Sequence, residues 1–165
     1  MIKTEIKNGK QIWKILIDTE EIFKRVSLDS NYREHALIEP RGSKYVLLDD
    51  DVSLFNTFVR NAMSELWLKI ARMSKQVSSG IRYTEDFIEL NLEASDNHDP
   101  NLLFTLGCQI DQFIDARVLC QWFELNRISD HAGLCERDAA RTLANLLTTV
   151  HFRKKAVKRP IDPIF

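Results

Sequence analysis

With 165 residues, 28% of them charged and 44% hydrophobic, the chain has the make-up of one ordinary globular domain. That excludes a disordered polyelectrolyte and leaves enough apolar material for a core without disulfide or metal staples. Arg153, Lys154, Lys155, Lys158 and Arg159 against Asp162 put residues 153–165 at +4, so the overall charge of −1 leaves residues 1–152 at −5. An acidic body with a basic end differs from the uniform basicity of a dedicated DNA-binding domain and points to a partner surface at that end.

Ile2, Thr4 and Ile6 alternate with Lys3, Glu5 and Lys7, then Asn8-Gly9 precedes a β-branched and aromatic run from Ile12 to Ile17. Asn-Gly readily supplies the positive φ angles of a tight turn, so residues 2–17 are expected to form a β-hairpin. The leading segment MIKTEIKNGK has no apolar signal-peptide core, and no stretch approaches 18 uninterrupted apolar residues; neither secretion nor membrane spanning is expected. Asp18 stands three residues before Glu21, in the spacing of a capping box, ahead of Ile22, Phe23 and Val26, which predicts a short helix. From Asp29 to Lys44 polar residues mix with Pro40 and Gly42 without a period, the pattern of a loop with room for a helical turn.

Asp49, Asp50 and Asp51 precede Leu54, Phe55, Phe58, Val59, Ala62, Leu66, Ile70 and Met73. That spacing is one face of a helix of about 25 residues, and acids at its start offset the positive end of its dipole. After Ser78, Ser79 and Gly80, the alternation of Ile88, Leu90 and Leu92 with Glu89, Asn91 and Glu93 predicts a strand over residues 86–93. Asp99-Pro100 has the form of a helix start, and the helix it opens is expected to run to about Asn126. Its apolar residues (Leu103, Leu106, Ile110, Phe113, Ile114, Val118, Leu119, Trp122, Phe123) cover too wide an arc for one neighbour, which makes it the central helix. Ser129 or Asp130 can cap a last helix carrying Leu134, Ala139, Leu143, Leu146, Leu147 and Val150, antiparallel to the central one because the connection is short. The expected fold class is mainly α with a small β component: three long helices in a bundle, an N-terminal β-hairpin and one further short strand. Residues 1–152 are expected to form a single globular domain and residues 153–165 an extended basic C-terminal arm.

Cys108, Cys120 and Cys135 are odd in number and contain no CxxC pair, which argues against a disulfide framework or zinc ribbon and suits a reducing cytosol. They fall in helical apolar stretches, where an inert buried thiol is the usual case. His35, His98, His131 and His151 show neither HxxxH nor HExxH spacing. Asp96, His98 and Asp99 sit in a Ser-Asp-Asn-His-Asp-Pro segment where each has an ordinary turn or cap role, and Asp49–Asp51 are explained by a helix start. There is no GxSxG elbow and no GxGxxG or GxxxxGK loop. The expectation is therefore a protein that is not an enzyme, with no catalytic, cofactor-binding or metal-binding residues.

The end of the chain carries more information. Cations beside a helix C-terminus complement its dipole, which accounts for Arg153, Lys154 and Lys155. Lys158, Arg159, Pro160, Ile161, Asp162, Pro163, Ile164 and Phe165 follow, with two prolines that preclude helix and apolar Ile161, Ile164 and Phe165. These features suit an arm that docks on a partner, its apolar end for burial and its basic stretch for acidic groups or nucleic acid.

The acidic helix start in LLDDDVSLFNTFVRNAMSEL (residues 47–66), the later antiparallel helix pair and the basic arm together resemble the head-to-tail connector proteins of tailed bacteriophages. The likeness covers residues 47–75 and 100–165 and is one of architecture, not of an invariant motif; the hairpin and the strand at 86–93 depart from that family's mostly helical pattern. The resemblance implies a virion neck subunit, assembled in the bacterial host cytoplasm. There it would join copies of itself in a ring, typically twelvefold, beneath the portal. Its partners would be the portal and other neck or tail proteins, with DNA passing through the channel without sequence-specific binding and no membrane involved. An acidic wall would let the genome slide while residues 153–165 grip the partner. A different class of function, a nucleic-acid-binding regulator using the same basic segment, lacks a clear recognition helix, since the last helix mixes Glu136 and Asp138 with Arg137 and Arg141. A metal or hydrolytic enzyme would need a bound ion or turnover that no motif here predicts.

Overall fold

The computed structural model describes residues 2–7, 10–35, 47, 49–73, 80–84, 87–93 and 101–151, and over them the chain is mainly helical with a small antiparallel sheet. The expected hairpin is present: β1 (Ile2–Lys7) and β2 (Lys10–Asp18) pair antiparallel, with Ile2 opposite Ile15 and Lys7 opposite Lys10. β4 (Phe87–Glu93), the strand expected from alternation, lies on the other side of β2. Trp13 faces Leu92 across this pair, Ile15 faces Leu90 and Ile17 faces Ile88. Since side chains alternate between faces, that register puts all six on one side of the sheet, and all six are buried. The opposite side carries half-buried polar groups, with Lys14 bonded to Glu89 at 2.9 Å.

One strand was expected beyond the hairpin, and the described residues contain two. β3 (Gly80–Tyr83) pairs with β4 and completes a sheet of order β1-β2-β4-β3. Four residues hold only two core-side positions, Ile81 and Tyr83, too few to register as a period in the sequence.

At the end of β2 the Asp18 carboxylate accepts hydrogen bonds from the amides of Glu20 (3.0 Å) and Glu21 (3.1 Å), which starts α1 (Thr19–His35). Residues 29–35, expected in a loop, are instead the second half of this helix. Contacts made far along the chain hold them. Fully buried Ser30 donates to the Ser27 carbonyl and accepts from the Leu47 amide, while the Ser27 hydroxyl donates to the Leu47 carbonyl. The backbone polar groups of buried Leu47 are thereby satisfied by α1, as burial demands. Of the expected loop, residues 36–44 lie outside the described residues.

The three aspartates form a 3-10 turn, Asp49–Asp51, leading into α2 (Val52–Met73). α2 buries Phe55, Val59, Ala62, Met63, Leu66 and Ile70, and Phe55 meets Phe23 of α1 edge-on with ring centres 5.0 Å apart. α3 (Leu102–Leu125) is the central helix, in contact with α1, α2, β1, β2 and α4 (Ser129–His151). Those neighbours explain its wide apolar arc. Phe113, Ile114, Val118 and Phe123 are all essentially inaccessible to solvent, and burial of each phenylalanine contributes roughly 2–3 kcal/mol.

α3 turns into α4 through Asn126, Arg127 and Ile128. The Arg127 amide donates to the Glu124 carbonyl and the Ile128 amide to the Phe123 carbonyl, and Arg127 takes a positive φ of 59°. This is the Schellman arrangement, with buried Ile128 as its apolar lock. The tight turn makes α3 and α4 antiparallel neighbours, as expected. No helix among the described residues is long and apolar enough to cross a membrane.

Candidate functional site

The densest polar cluster among the described residues lies where α2, α3 and α4 meet. Arg117 of α3 bonds to Glu65 of α2 at 2.8 Å and, through its other terminal nitrogen, to Glu136 of α4. One turn on, the Gln121 side-chain amide donates to the carbonyls of Phe58 and Arg117 and accepts from Asn61 at 3.0 Å. The Cys120 thiol lies 3.4 Å from Glu136 and 3.6 Å from Glu124. Beside it a groove of about 450 Å³, lined by Glu124, Arg127, Ser129, Ala132, Gly133 and Glu136, runs along the helix turn.

A thiol beside carboxylates invites comparison with a nucleophile–base pair, but the electrostatics run the other way. Burial, reinforced by the hydrogen bond to Glu136, pushes the Cys120 thiol up to about 12. Burial likewise pushes Cys135 up to about 11. Both stay protonated at neutral pH, so neither is an activated nucleophile. Arg117 with its two carboxylates is a clamp on three helices.

A second cluster joins α1 to α3. Arg25 grips Asp115 with two parallel hydrogen bonds, Nε to Oδ2 at 2.8 Å and Nη2 to Oδ1 at 3.1 Å. The bond to Asp115 holds the Arg25 proton more tightly, whereas burial pushes the Asp115 carboxyl up despite the guanidinium beside it. The pair therefore offsets its own desolvation and adds little net stability. Asp111, one turn back, is also raised by burial, with Arg25 opposing.

His131 on α4 bonds through Nε2 to the Arg33 carbonyl of α1 at 3.2 Å, and its ring leans on Phe123. A carbonyl only accepts, so Nε2 carries the hydrogen and the imidazole serves as an interhelical strut. No group of three or more His, Cys, Asp or Glu side chains arranged to hold a metal occurs among the described residues. Asp96, His98 and Asp99 lie outside the described residues, as do Arg153, Lys154, Lys155, Lys158, Arg159, Ile161, Ile164 and Phe165 of the expected arm.

Sequence reasoning missed the Arg117 cluster because its members come from positions 65, 117, 120 and 136 on three helices, and no spacing within one helix announces them. Comparison of the chain with protein-family models, with curated proteins and with solved structures gives no match.

Proposed function

We propose that this chain is a structural assembly protein, a head-to-tail connector subunit that joins copies of itself in a ring under a phage portal and docks through residues 153–165. The observation that carries the reading is the division of charge, net +4 in those residues against −5 in the rest of the chain. A body of that sign repels DNA and lets it pass, while a basic segment ending in Ile161, Ile164 and Phe165 has both attraction and apolar area to offer a protein partner. The polar clusters described above support the same reading, since their charged groups serve to bind helix to helix. Leu28 and Tyr32, one turn apart on α1, and Phe104 on α3 are 70–78% exposed, a cost in water that contact with neighbouring subunits would relieve.

The competing nucleic-acid regulator would use the same basic segment. On α4, however, Asp130, Glu136 and Asp138 stand among Arg137 and Arg141, and Arg141 is bonded to Asp138, so the helix presents a surface of mixed charge to phosphates. Native mass spectrometry of the protein mixed with a phage portal protein separates the two. The connector reading expects a portal complex carrying many copies of this chain. A strict monomer that ignores the portal yet binds DNA with steep salt dependence would overturn it.

A further inference from the structure

We draw no further inference here: the strongest candidate, the exposed apolar patch of Leu28 and Tyr32 one turn apart on α1, carries nothing because no feature of the structure shows what covers it.

Discussion

Arg117 ties three helices together with two ion pairs, from its own place on α3 to Glu65 of α2 and to Glu136 of α4. Its own side chain is only 22% exposed, so removing it strands Glu65 and opens a polar gap beside Cys120. Arg117→Ala is expected to lower the unfolding free energy by about 2 kcal/mol, read from the urea midpoint at unchanged slope. Asp111 tests the opposite sign. Burial raises its carboxyl above the ordinary aspartate range, so the folded chain holds that proton to higher pH than the unfolded chain does. The ionised form therefore costs stability above the folded value, and the cost fades as pH falls towards the unfolded value of about 3.9. Asp111→Asn should be more stable than the parent at pH 7, by roughly 0.5–1 kcal/mol, with the difference closing at about pH 3.5. Urea titrations of both proteins at the two pH values check this. None of these residues stood out in the sequence. What marks Arg117 or Asp111 is the company each keeps across the core, and a single chain read in order gives only the spacing along one helix.

At the scale of elements, legibility followed the length of the repeating pattern. The 22 residues of α2 and the 24 of α3 carry enough apolar positions to declare a helical period, and seven residues of β4 suffice for alternation. The four residues of β3 do not. The second half of α1 failed for another reason: its outward positions include exposed Leu28 and Tyr32, and its inward anchor is a serine, Ser30, whose role depends on Leu47. The sequence there is polar without a period, and the fold makes it helical through hydrogen bonds reaching 17 and 20 residues away. The turn between α3 and α4 shows a third case. Its position was evident from the capping residues that follow, but its conformation places a side-chain-bearing residue, Arg127, at φ 59°, where glycine is ordinarily favoured. Arg127→Gly is expected to relieve that strain and stabilise the protein by up to about 1 kcal/mol, seen as a rise in Tm without change of fold. A fall in Tm would mean that the arginine side chain contributes more than its backbone costs.

For the whole molecule, the mainly helical class, the hairpin and the central position of α3 all followed from periodicity, turn chemistry and the width of an apolar arc. The candidate site did not. The arm was proposed from charge and proline content alone, and the Arg117 clamp exists only once α2, α3 and α4 are brought together. The central claim is that this chain works by assembly through residues 153–165. Its most direct test is the mass of the complex formed with the portal by the full chain and by a variant ending at residue 152. The account predicts a multi-copy complex with the full chain, none with the shortened one, and the same circular dichroism and urea midpoint for both. A shortened chain that still joins the portal, or a full chain that does not at micromolar concentration, would contradict it.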